Sequence, residues 1–254
     1  IARRQRQMCI RDRNMNGSDS SQLQMLKNLE LSEDDHRELM DYCERKGIRF
    51  LSTPFDLDSV DFLHSLGLKI WKIPSGEITN YPYLRKIAGY NEEVVMSTGM
   101  CEVSDVAAAM NALAENGQDL AKVTLLHCNT QYPTPMADVN LRAMLSLRDF
   151  SEKVGFSDHT VGIEIPVAAA ALGATVIEKH FTLSRDLPGP DHRASLEPME
   201  LKAMVAAIRN VETALGDGRK RVSPSESANV AVARKSIVAS CNIKRGEVLT
   251  ENNM

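Results

Sequence analysis

No apolar run in the 254 residues reaches the roughly 18 that a helix needs to cross a bilayer, so no membrane span is expected. No signal-peptide pattern is visible, and the chain reads as cytoplasmic. Cysteine is sparse. The five present (Cys9, Cys43, Cys101, Cys128, Cys241) are odd in number and no two form a CxxC pair. That excludes a disulfide framework and a thiolate zinc site, and fits a reducing compartment. No GxGxxG or GxxxxGK[ST] follows any strand-like run, which argues against a nucleotide-binding sheet. Excess charge is also lacking. A formal net charge of −4 fits neither a basic nucleic-acid binder nor an acidic tail protein.

An initiator methionine is missing too, since the chain opens on Ile1. Residues 1–13, "IARRQRQMCIRDR", are rich in arginine and have no apolar period. Three readings of this tract stand side by side: a disordered basic arm, a transit peptide, or sequence foreign to the gene. It is left out of the fold argument.

What is present is a rhythm. Hydrophobic residues make up 43% of the chain, enough for a full core. "SEDDHRELMDYCERKG" reads as a helix capped by Ser32 and closed by Gly47. "IRFLSTPF" reads as a strand and "DLDSVDFLHSLG" as a helix. "KIWKIPSGE", "EVVMSTGM", "KVTLLHCNT", "KVGFSDHT" and "ATVIEKHFT" read as further strands. Between them lie helices, one of them capped by Ser104 and closed by Gly117, and a last long helix begins at Pro198. Six strand–helix units in series mean a parallel sheet covered by helices. A doubly wound sheet and a (β/α)₈ barrel both fit that order. Polar residues close every strand, and a barrel gathers all such ends at one mouth, so the barrel is favoured. The expected layout is a partial barrel over residues 14–218, a polar linker over 219–235, and the start of a β-rich domain over 236–254.

The strand ends carry the chemistry. Side chains alternate along a strand, so Glu178 and His180 share one face while Lys179 and Phe181 take the other. His159 ends the neighbouring strand. Two imidazoles meeting there would form half of a divalent-metal site; otherwise each is a hydrogen-bonded strand-end residue. "STP", "PSGE" and "STGM" offer hydroxyls and free N–H groups to an anion, phosphate or carboxylate. Lys72, in an apolar strand, either faces such an anion or lies outside with its ammonium in water. Asp191 is a loop cap or a substrate ligand, and Tyr132 is open in the same way.

The phrases "FLSTPFD", "KIPSGEITNYPYL", "VVMSTGM", "LLHCNTQYPTP", "DVNLRAM", "GFSDHT", "GATVIEKHFT", "PGPDHRASLEP" and "SIVA", in this order, resemble the sialic acid synthase family, legionaminic acid synthases included. The resemblance runs from about residue 20 to residue 254. It implies a TIM (β/α)₈ barrel, here without its first two strands, followed by the start of a small antifreeze-like (SAF) domain. It implies condensation of phosphoenolpyruvate with an N-acetylmannosamine-type sugar, giving a nine-carbon 2-keto acid and phosphate. It also implies Mn²⁺ or Mg²⁺, a domain-swapped homodimer, and neither nucleic-acid nor membrane partners. By the same resemblance His159 and His180 match metal ligands. Thr53, Lys72, Ser75, Ser97 and Ser157 match positions that hold phosphoenolpyruvate. Tyr132, Glu178 and Asp191 match positions near the sugar, with Glu178 best placed to handle a proton. Asn129 and Thr130 fall at a further ligand position, where the family's order is interchanged. The family's "EIGxNHxG" and "KFQT" do not occur in this sequence. On that ground the chain is expected to be inactive alone and marginally stable. The other readings are a non-catalytic fragment that dimerises or binds phosphate, and a different phosphoenolpyruvate-using barrel synthase.

Overall fold

A computed structural model describes residues 31–189 and 191–254; the tract 1–13 and residues 14–30 of the expected barrel lie outside the described residues. Two compact units divide the chain, one ending at Ala214 and the other spanning Leu215–Met254.

The first described element of the first unit is α1 (Glu33–Arg45). The free N–H groups of its first turn are met by a reciprocal cap. Ser32 Oγ accepts from the Asp35 N–H at 3.1 Å, and the Asp35 carboxylate accepts from the Ser32 N–H at 2.8 Å. Gly47, at φ +67°, ends the turn that follows. Helix α2 (Leu57–Ser65) is capped by Asp56, which accepts from the Ser59 N–H at 2.7 Å. Strand and helix then alternate: β1 (Ile70–Ile73), α3 (Tyr81–Ala88), β2 (Glu93–Ser97), α4 (Val103–Glu115), β3 (Val123–Cys128), α5 (Ala143–Ser146), β4 (Lys153–Asp158), α6 (Glu164–Ala171), β5 (Val176–Lys179) and α7 (Pro198–Leu215).

The five strands are all parallel, and their order in the sheet is their order in the chain. A doubly wound sheet reverses direction at a switch point. Strict succession is the winding of a barrel wall, with every carboxyl end on one side. The outward face is apolar and packs under the helices, with Trp71 and Ile73 from β1, Val94 and Met96 from β2, and Val154 and Phe156 from β4 in one buried core. The alternate positions face inward; Leu126 lies there beside Gly155, and toward the carboxyl ends the inward residues are small or polar: Lys72, Ser97, Cys128 and Ser157.

Four expectations need correction. Residues 48–55 form no ladder with any described strand, so the sheet has five described strands rather than six. Strand conformation alone does not make a strand; a hydrogen-bonded neighbour does. The segment is tied instead by Tyr83, whose hydroxyl donates to Pro54 O at 2.9 Å. Helix α4 starts at Val103 and so takes Ser104 into its first turn. The cap is Glu102 instead, whose N–H is accepted by the Asp105 carboxylate at 2.9 Å. The expected helix over "NLRAMLSLRDF" is a single α turn continued as a 3₁₀ turn, Leu147–Asp149.

The fourth correction concerns the second unit. The expected linker 219–235 contains α8 (Ser227–Ala233). Residues 236–254 form turns and no described strand, despite their alternating pattern. Ser240 N–H donates to Asn253 O at 3.0 Å, but no ladder extends from that bond.

One glycine sets how closely β5 approaches β4. A Cβ on Gly155 would lie 2.3 Å from Val176 O and 2.6 Å from Leu126 Cδ2. A backbone oxygen in a ladder cannot step aside. Gly155→Ala is expected to destabilise the chain by about 1–3 kcal/mol, read from the urea midpoint. An unchanged midpoint would contradict this close approach.

Candidate functional site

The inward residues of β1, β2, β4 and β5 meet in one hydrogen-bonded group at the carboxyl end of the sheet. Lys72 is 5% exposed. Its ammonium donates to Ser97 Oγ at 2.8 Å and lies 3.4 Å from Glu178 Oε2. The other carboxylate oxygen of Glu178 accepts from Ser157 Oγ at 2.6 Å. Register brings this about, because Ser157 pairs directly with Glu178 across β4 and β5. Of the two positions open to Lys72, the structure takes the inner one.

A second group lies where the chain leaves β1, β2 and β3. Ser75 Oγ accepts from the Gly99 N–H at 2.9 Å and stands 3.2 Å from Cys128 Sγ. Gly99 has to be glycine here. A Cβ would fall 2.6 Å from the Thr130 methyl and 2.7 Å from Cys128 Sγ.

The third group is aromatic. The rings of His159 and His180 stand edge to face with centroids 5.3 Å apart. Tyr132 lies against both, at 4.0 Å from His159 and 5.3 Å from His180. His159 Nδ1 is 2.5 Å from Asn129 O. A carbonyl only accepts, so Nδ1 carries the hydrogen. Metal-binding imidazoles have one ring nitrogen held in the same way, by a backbone oxygen. His180 Nδ1 lies 3.7 Å from Asp191 Oδ2. Among the described residues no set of three or more His, Cys, Asp or Glu surrounds a common point. Two imidazoles alone would supply half of a tetrahedral set, and the other ligands of a divalent metal would have to come from water or substrate oxygens.

Most of the candidate residues are thus brought together: Lys72, Ser97, Ser157 and Glu178 in one group, and Tyr132, His159, His180 and Asp191 in another. Ser75 joins the strand-end group with Gly99. Asn129 contributes its carbonyl, while its side chain serves its own loop. There it accepts from the Gln131 N–H at 2.8 Å and donates to Asp138 O at 3.4 Å. Thr130 turns its methyl toward Gly99. Thr53 is half-buried ahead of α2 and makes no hydrogen bond among the described residues.

Sequence reasoning missed three contributors. Cys128 is in phase with the inward residues, and that phase was the available signal. Tyr83 holds the "STPF" segment to β1, its hydroxyl reaching both Pro54 O and, at 3.5 Å, Lys72 O. Burial pushes its phenol well above the usual tyrosine range, so it stays a neutral donor. The third is an ion pair between Asp158 and Lys179 on the outward face.

A wall of parallel strands in chain order, with a cation, a carboxylate, hydroxyls and paired imidazoles at its carboxyl end, defines a barrel-type enzyme domain. The model of the NeuB family matches residues 2–220. The N,N'-diacetyllegionaminic acid synthase of Campylobacter jejuni subsp. jejuni is 55% identical over 238 residues, covering 93% of this chain and 71% of that protein. The enzyme of the same name from Legionella pneumophila is 47% identical over 238 residues, covering 92% and 67%. Among solved structures, the N-acetylneuraminic acid synthetase of Leptospira borgpetersenii in complex with citrate superposes with a TM-score of 0.77 at 32% identity, covering 87% of this chain and 76% of that one. The chain belongs to the NeuB family.

Loss of the Tyr83 hydroxyl should leave Pro54 O buried without its donor. Tyr83→Phe is expected to lower stability by about 1–3 kcal/mol, followed by the fluorescence of Trp71, the one tryptophan in the sequence and fully buried. An unchanged unfolding curve would mean the "STPF" segment is held some other way.

Proposed function

We propose that this chain carries the active-site wall of a nonulosonic acid synthase, which joins phosphoenolpyruvate to an N-acetylmannosamine-type sugar. The observation that carries the reading is the inward network of Lys72, Ser97, Ser157 and Glu178 beside the paired His159 and His180. A buried ammonium with serine hydroxyls suits an anion bearing phosphate and carboxylate. The sugar's open-chain carbonyl would lie toward Tyr132, Glu178 and Asp191.

The bookkeeping of the reaction is simple. The methylene carbon of phosphoenolpyruvate forms a bond to the aldehyde carbon, whose oxygen takes a proton and becomes a hydroxyl. Water adds to the phosphate-bearing carbon and loses a proton. The carbon–oxygen bond to phosphate then breaks, leaving a 2-keto acid and inorganic phosphate. Lys72 offsets the charge of the phosphoenolpyruvate anion, and Glu178 handles the proton at the new hydroxyl. His159 and His180 would hold Mn²⁺ or Mg²⁺, which would supply Lewis-acid polarisation of the aldehyde. The reading also implies a cytoplasmic enzyme that acts as a homodimer.

The deciding experiment incubates the full-length parent of this chain, since the chain alone is expected to be inactive, with phosphoenolpyruvate, Mn²⁺ and a panel of N-acetylated sugars, and measures phosphate release. Sugar-dependent release is expected, together with calorimetric binding of phosphoenolpyruvate alone. Absence of both would overturn the proposal. Lys72→Ala is expected to raise the apparent KM for phosphoenolpyruvate about tenfold or more with a smaller change in kcat, since its charge serves ground state and transition state alike. Loss of either imidazole, in His159→Ala or His180→Ala, should remove metal-dependent turnover. Full turnover in either variant would sink the metal reading.

A further inference from the structure

The outward face of β4 and β5 holds charges where its neighbours are apolar. Asp158 is fully buried and the Lys179 side chain is 3% exposed. The two residues pair directly across the strands, and the Lys179 ammonium donates to Asp158 Oδ2. The same ammonium donates to Thr160 O at 2.6 Å. Asp158 in turn accepts from the Thr160 N–H at 2.9 Å and from Thr160 Oγ1 at 3.1 Å. These bonds enclose His159 on both sides, through residues 158 and 160. They end on Lys179, the residue directly before His180.

None of these groups faces the inward site. A buried ion pair is a poor source of stability, because desolvation offsets most of its attraction. A fully satisfied one allows very few alternative arrangements, since each charge is costly to leave unpaired. We propose that the Asp158–Lys179 pair is a positioning device that fixes the separation and ring orientation of His159 and His180 from behind the sheet. Strand pairing alone ends at residue 158 on β4 and residue 179 on β5. Both imidazoles lie one residue beyond that ladder, where the pair and Thr160 link the two chains, while His159 O accepts from the Thr134 N–H and His180 O from the Leu196 N–H, each at 2.9 Å. The role rests on the reading of His159 and His180 as convergent metal ligands, and the test separates the two ideas.

The test uses the full chain with ¹⁵N-labelled histidine. Imidazole resonances of His159 and His180 are recorded without metal, with His64 of α2 as an internal reference. Mn²⁺ affinity is then measured with the metal alone, by electron paramagnetic resonance. In Lys179→Met and in Asp158→Asn, both imidazole resonances are expected to shift or broaden while that of His64 stays. Mn²⁺ affinity should fall about tenfold or more, as for other residues that orient a ligand. The double variant should fall no further than the single ones, because the two residues act as one unit. A lowered unfolding midpoint with both resonances and Mn²⁺ affinity unchanged would overturn the proposal and leave the pair a structural feature only. If Lys179→Met does not fold, the near-isosteric Asp158→Asn carries the same measurement. If the unsubstituted chain takes up no Mn²⁺, the metal reading falls, and the imidazole resonances still decide the positioning role.

Discussion

A lysine ammonium set inside a sheet has to be surrounded by acceptors, and much of the site follows from that constraint at Lys72. An unpaired charge there would cost several kcal/mol. Ser97 on β2 and Glu178 on β5 meet it, and Ser157 on β4 holds the far oxygen of Glu178. Four strands thereby contribute to one polar group. It exists only when each strand presents the correct face. A slip of one residue in any of them would exchange its two faces and take one member out of the group.

The two faces of the sheet divide the labour. The outward face supplies adhesion, with Trp71, Met96 and Phe156 buried under the helices. On the inward face, Ser97, Cys128 and Ser157 near the carboxyl ends are small, and that leaves room for polar groups to meet across the strands. Gly155 and Gly99 mark where backbone and side chains come closest. At the carboxyl ends the division is relaxed. Asp158 and Lys179 place a charged pair in the apolar layer, directly behind the paired imidazoles.

Local chemistry was readable from residue types. Ser32 before an acidic turn, Gly47 and Gly67 after helices, and Pro198 at a helix start all behave as their backbone preferences require. The inward placement of Glu178 and His180 also followed from alternation, since side chains on a strand change face at every residue. Failures came where a residue's role depends on a distant partner. Residues 48–55 have strand composition but no described neighbour to pair with. Residues 236–254 alternate without forming a ladder. Ser104 lost the cap of α4 to Glu102, two residues earlier, whose N–H the Asp105 carboxylate accepts.

By itself, the sequence determined the succession of strands and helices, the parallel sheet, and which residues close each strand, because these depend on neighbours a few positions apart. It also carried the family, through phrases spread along the chain. Only the tertiary structure decided that Lys72 points inward, since that choice rests on Ser97 and Glu178, which lie 25 and 106 positions further along the chain. It alone turned the side chain of Asn129 into its own loop and left its carbonyl for His159. The Asp158–Lys179 pair was hidden for the same physical reason. In the sequence each charge stands beside a candidate ligand, and only the register of β4 against β5 shows that the two charges meet on the opposite face.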